Sequence, residues 1–178
     1  MTKTDDRAIK WLATALQMEE KGEEFYKKAM DECKNKPGKE IWKMLRKDEI
    51  VHKSRIKKLY DSLKDGKGWK KSAIGKQADT KKLRTFFNGV QKKHASDIKA
   101  ETDDIKAMDV GIDFELKAIK FYEKNLTKAK DPVEKNFLNM MIKEERSHYT
   151  ALSDMKLYLI DPVGWFRDKE RTHLDGLT

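Results

Sequence analysis

Two glutamate–histidine pairs, Glu49/His52 and Glu145/His148, have the spacing that sets a carboxylate and an imidazole side by side on one helical face. A lone glutamate precedes each pair on an earlier segment, Glu19 before the first and Glu115 before the second. Four carboxylates and two imidazoles without sulfur suit divalent cations, with iron or manganese favoured and zinc as an alternative.

These residues recur in one register. Glu19 and Glu115, Tyr26 and Tyr122, Glu49 and Glu145, His52 and His148, and Trp69 and Trp165 are all separated by 96 residues. Between residues 9–70 and 105–166, roughly 17 of about 62 positions are identical, and about 6 of those are lysines. The matches of rare types carry more weight: Phe25 with Phe121, and Asp65, Gly68 and Trp69 with Asp161, Gly164 and Trp165. The chain reads as two fused copies of one unit. A third Glu-x-x-His, Glu170/His173, has Ile74 and Gln77 at the equivalent positions and is read as coincidence. His94, preceded by Gln91, reads as a surface histidine.

The elements that must position the six residues follow from apolar spacing. Four segments carry stripes that alternate steps of three and four: Ile9, Leu12, Leu16, Glu19, Glu23, Tyr26; Ile41, Leu45, Glu49, His52, Ile56; Met108, Ile112, Glu115, Ile119, Tyr122; and Phe137, Met141, Glu145, His148, Leu152. In each, a glutamate stands where a core side chain belongs. Asp5/Asp6 and Thr102/Asp103 suit the caps of the first and third helices. Pro37 and Pro132 fit the first turns of the second and fourth, the latter after a capping Asp131. Short connections near Asn35 and Lys130 predict two antiparallel hairpins.

The predicted architecture is an all-α four-helix bundle of duplicated hairpins. Repeat 1 covers about 5–70, a crossover with a helix of its own near 80–100 covers 71–103, and repeat 2 covers about 104–166. The domain thus runs over 1–166, followed by a polar tail over 167–178.

A charged interior needs compensation. Four buried carboxylates repel one another, and apolar neighbours do not replace their hydration. The lysines fall mostly off the stripes, whereas two divalent cations balance the set outright. Glu20 is paired by the repeat with Leu116, which removes it from a symmetric site; Asp48 and Glu144 lie at the edge of the stripe, as surface or supporting groups. Tyr26 and Tyr122, two turns beyond Glu19 and Glu115 on the same face, are candidates to hydrogen-bond ligand carboxylates or simply to pack in the core.

Composition bounds the rest. At 178 residues there is room for one well-buried domain. The single cysteine, Cys33, excludes an internal disulfide and a thiolate-ligated iron centre and reads as a small apolar residue. A net charge of +9 spread over every segment, with no groove-reading motif, reads as a solvated surface rather than a nucleic-acid site. No membrane span or signal peptide is visible, which points to a cytoplasmic protein.

The segments Met18–Tyr26 and Phe114–Tyr122, each followed by its Glu-x-x-His, resemble the di-iron domain of rubrerythrins in the ferritin-like superfamily. The likeness covers about residues 5–166. It implies two irons, one on Glu19 and His52 and the other on Glu115 and His148, with Glu49 and Glu145 bridging. It further implies an external electron donor such as a rubredoxin-like protein, because this chain lacks the cysteines of a rubredoxin domain, and a homodimer. Family members often carry an extra glutamate three residues after the third-helix ligand, implicated in moving an iron between redox states; Ala118 stands there.

The functional expectation is an oxidoreductase, of peroxidase or ferroxidase type, whose diferrous centre reduces hydrogen peroxide or dioxygen. The alternatives are a ferritin-like iron-binding or storage protein and a metal-free helical interaction module.

Overall fold

Steps of three and four in the apolar pattern become long helices. The computed structural model describes residues 3–77, 102–165 and 167. In it α1 spans Lys3–Glu32, α2 Lys36–Lys64, α3 Lys71–Ile74, α4 Thr102–Leu126 and α5 Pro132–Ile160, with no strand among the described residues. The chain is an all-α bundle in which α1 packs on α2 and α4 on α5 as antiparallel hairpins.

The hairpin turns are made by the residues that suit them. Asn35 caps α2 by accepting from the Gly38 N–H at 3.0 Å, and Pro37 sits in the first turn, where its missing N–H costs no helical bond. Asp131 caps α5 through the N–H groups of Val133 and Glu134, ahead of Pro132. After α2, Gly66 and Gly68 both take a φ of 70°, a region that side chains disfavour, so the chain reverses there.

Two boundaries differ from the sequence reading. α1 already runs from Lys3, so Asp5 and Asp6 lie inside its first turns rather than capping it. α4 begins at Thr102, leaving Asp103 and Asp104 in the first turn, where negative charge meets the positive end of the helix dipole. The helix expected near 80–100 lies outside the described residues, as do His94, Glu170, His173 and all of the tail but residue 167.

The core is split in two by a charged layer. At one end Trp11, Leu12, Ile56, Leu59, Tyr122, Phe137 and Met141 pack together; at the other, Tyr26, Trp42, Leu45, Met108, Leu152 and Met155. Each such side chain contributes about 1.5–3 kcal/mol by leaving water, and the two ends clamp the polar middle between them.

Near its start, α1 turns its apolar face by about one residue from the expected stripe: Ala8, Trp11 and Ala15 are buried, while Ile9 and Leu16 are half-buried. The large Trp11 ring sets this rotation by stacking on Trp69 and Phe137, with centroids 6.1 and 6.3 Å away. The repeated tryptophan thus closes an end of each hairpin, for Trp165 packs edge-on against Tyr158 at 5.4 Å. Among the described residues, no helix is long and apolar enough to cross a membrane.

Candidate metal centre

The charged layer brings all six candidate residues together. Glu19, Glu49, Glu115, Glu145, His52 and His148 are each at most 4% exposed. The imidazoles lie nearly parallel, their centroids 5.5 Å apart, and both turn Nδ1 towards the carboxylates. His52 Nδ1 lies 3.0 Å from Glu19, 3.2 Å from Glu145 and 3.9 Å from Glu49. His148 Nδ1 lies 3.3 Å from Glu145, 3.5 Å from Glu115 and 3.7 Å from Glu49. Glu49 and Glu145 therefore reach both rings, whereas Glu19 approaches His52 and Glu115 approaches His148.

The tyrosines cross-link the hairpins. Tyr26 on α1 donates to Glu115 on α4, and Tyr122 on α4 donates to Glu19 on α1. Each phenol fixes one carboxylate oxygen of the opposite repeat: at Glu19 the other oxygen, Oε2, faces His52, whereas at Glu115 the Tyr26-bound Oε1 is itself the atom that faces His148.

Burial governs the electrostatics. Burial and the neighbouring charge of Glu19 push Glu49 well above the ordinary carboxylate range. Burial and Glu145 push Glu115 up to about 8. For Glu145 burial acts in the same sense, but the facing imidazoles, His52 foremost, outweigh it and hold the group below its ordinary value. Burial likewise opposes charge on His52 and His148, yet the carboxylates around them raise both well above an ordinary imidazole. Burial, followed by Glu115 at Tyr26 and Glu19 at Tyr122, raises both phenols, so both stay protonated donors.

The donor set fits a pair of divalent cations. Two groups, Glu49/Glu115/Glu145/His148 and Glu19/Glu49/His52, each gather their ligand atoms within 4.8 Å of one another, and they share Glu49. Two buried atoms aimed into the cluster, Glu145 Oε1 and His148 Nδ1, close no hydrogen bond. Leaving such atoms unsatisfied costs about 1–3 kcal/mol each, and a cation coordinated there would remove that cost.

A family model for rubrerythrin matches residues 10–156, which include most of both hairpins and all six residues. The chain belongs to the rubrerythrin family. Together with the buried carboxylate–imidazole cluster, that membership fits a di-iron protein. Comparisons with curated proteins and with solved structures returned no significant match.

This rubrerythrin-family chain also uses residues that the sequence reading left at the margin or missed. Glu144, read as an edge position, is 1% exposed, and its Oε2 lies 2.8 Å from His52 Nε2. An ionised carboxylate only accepts, so Nε2 carries the proton of that bond. The same oxygen accepts from Arg55 Nη1 at 2.6 Å. Arg55 went unrecognised, although it stands three residues after His52 on the same helical face, and its Nη2 also donates to the Lys76 carbonyl. Asp48 matches Glu144 in the repeat and approaches His148 Nε2 at 3.4 Å, but it is 31% exposed and closer to an edge group.

Proposed function

We propose that this chain binds two iron ions and, when reduced, delivers electrons to hydrogen peroxide or dioxygen. Glu19 and His52 would hold one ion and Glu115 and His148 the other, with Glu49 and Glu145 shared. The observation that carries this reading is the reach of Glu49 and Glu145 to both imidazoles, flanked by one private glutamate on each side. Mixed carboxylate and imidazole donors favour iron or manganese over softer metals.

Iron bound there would supply the two electrons that break an O–O bond. The protein's own residues set the conditions for that chemistry. Four carboxylates offset the charge of two divalent ions, so the buried layer stays near neutral. Tyr26 and Tyr122 hold Glu115 and Glu19 in place, and Glu144 holds the His52 ring with Nδ1 turned inwards. The apolar ends of the bundle shield the layer along the bundle axis.

The reading calls for an external one-electron donor, such as a rubredoxin-like protein, and the net charge of +9 suits an acidic one. It is also compatible with a homodimer and with a reducing cytoplasm, where Cys33 stays a thiol. The deciding experiment measures metal content in protein purified without chelators, then mixes the anaerobically reduced protein with peroxide and separately with dioxygen. Two irons per chain and rapid oxidation by at least one oxidant are expected. A protein that takes up no metal pair, or a reduced centre inert to both oxidants, would overturn the proposal.

A further inference from the structure

Between α1 and α4 a cavity of about 330 Å³ leads to Glu19, Glu49, Glu115 and Glu145. Its walls are apolar, formed by the half-buried Met18, Phe114, Ala118 and Phe121. Gly22 deepens it, since a Cβ there would come within 3.4 Å of the Glu49 carboxylate. Lys21 and Lys117, exposed and equivalent under the repeat, stand at the mouth. Lys117 pairs with Asp113 at 2.5 Å, but both partners are exposed, and such pairs hold weakly.

This space exceeds the needs of hydrogen peroxide or dioxygen. Either molecule needs roughly the room of two waters, about 60 Å³. Cavities of a few hundred Å³ with apolar walls and a few polar groups are suited to small organic ligands.

We infer that the cavity binds an organic hydroperoxide with an apolar body and a carboxylate at its far end. The inference rests on the proposed function and names a substrate class for it. Lys21 and Lys117 attract the anionic end to the mouth, while the neutral hydroperoxide end reaches the floor. The apolar body lies along Met18, Phe114 and Phe121. In the net reaction the O–O bond breaks, and two electrons and two protons convert ROOH to ROH and water. The electrons come from the same one-electron donor protein that peroxide reduction requires.

Octanoate is a suitable probe because it has the chain and the carboxylate but no O–O bond. Calorimetric titration of the full chain, metal-free and loaded with redox-inert zinc, should show saturable one-to-one binding. The Met18 methyl resonance should shift as octanoate is added. Lys21→Ala combined with Lys117→Ala should weaken binding at least fivefold, and Ala118→Phe, which fills the cavity, at least tenfold. Absence of saturable binding, or binding unchanged in these variants, overturns the inference. Should Ala118→Phe fail to fold, an unmoved Met18 methyl in the unsubstituted protein overturns it equally. A protein that takes up two metals but ignores octanoate keeps the proposed function and loses this inference. One that binds octanoate but no metal loses both.

Discussion

His52 is held from behind by Glu144: the imidazole Nε2 lies 2.8 Å from a carboxylate oxygen that also accepts from Arg55 at 2.6 Å. The equivalent support for His148 comes from Asp48, at 3.4 Å and partly in water. The charged layer is thus nearly symmetric between the repeats, while the groups behind its two imidazoles differ. A buried, charge-assisted contact orients a ring more firmly than a solvated one.

Glu144→Gln should therefore weaken metal binding more than Asp48→Asn. Losing such a support costs about tenfold to a hundredfold in metal affinity, and Glu144→Gln is expected in that range, with Asp48→Asn below it. Metal titration against a competing chelator measures both. Equal losses would show that the two supports are equivalent after all. Glu144→Ala should also destabilise the fold by about 3–5 kcal/mol, because Arg55 would be left buried without its partner.

Tyr26→Phe and Tyr122→Phe each remove a buried donor from a carboxylate of the other hairpin. A buried hydrogen bond contributes about 0.5–1.5 kcal/mol, so each substitution should lower unfolding stability by that order in urea. Helical circular dichroism should be retained. The double variant should lose less than the sum of the singles if the two cross-braces act through one shared cluster.

The helices, the hairpins and the gathering of the six central side chains in one buried layer are legible in the sequence because they depend on spacing. A repeat offset and a three-and-four pattern fix which side chains share a face before any packing is known. Asp48 and Glu144 defeated that logic, since they are equivalent in the repeat yet one is partly solvated and the other buried. What separates them is Arg55, an ion partner on another helix, and the residue equivalent to it is Ala151. Nor could the Trp11 stack be foreseen, because it depends on Trp69 folding back from beyond the end of α2. Periodicity encodes faces, but it does not encode which long-range neighbour completes them.

Without metal, stability should fall as pH rises. Glu115 has a folded-state value of about 8, above its ordinary 4.5, so the folded state holds a proton that the unfolded state has given up between those limits. Glu49 is raised as well, and so are His52 and His148, whose contribution is full below the ordinary imidazole value and lost as pH climbs through the higher folded one. Glu145 is depressed and acts in the opposite sense, losing its contribution only as pH falls below the carboxylate range. The urea midpoint of metal-free protein should thus be lower at about pH 8 than at about pH 6.

Metal uptake must displace the protons held by these groups. Binding should therefore release protons and tighten from about pH 6 to about pH 8. Calorimetry in two buffers of different ionisation enthalpy counts the protons, and a count of zero would contradict the assigned ligand protonation.

Gly111 lies inside α4, where glycine ordinarily costs a helix about 1 kcal/mol relative to alanine. Here a Cβ would come 3.0 Å from Leu152 Cδ1 and 3.2 Å from Trp42 Cζ3. Leu152 can shift by a few tenths of an ångström, but the buried Trp42 indole is wedged between Phe25 and Tyr26, with centroids at 5.8 and 5.6 Å. For Gly111→Ala the gain in propensity should roughly cancel the crowding, leaving a change within about 1 kcal/mol. Gly111→Val adds two methyl groups against the same wall and should destabilise by about 1–3 kcal/mol, while altering the near-ultraviolet signal of Trp42. Urea unfolding of both variants separates the effects. A valine variant as stable as the parent would mean that α4 can move away from Trp42 without loss, and that close approach at Gly111 does not hold the two hairpins together.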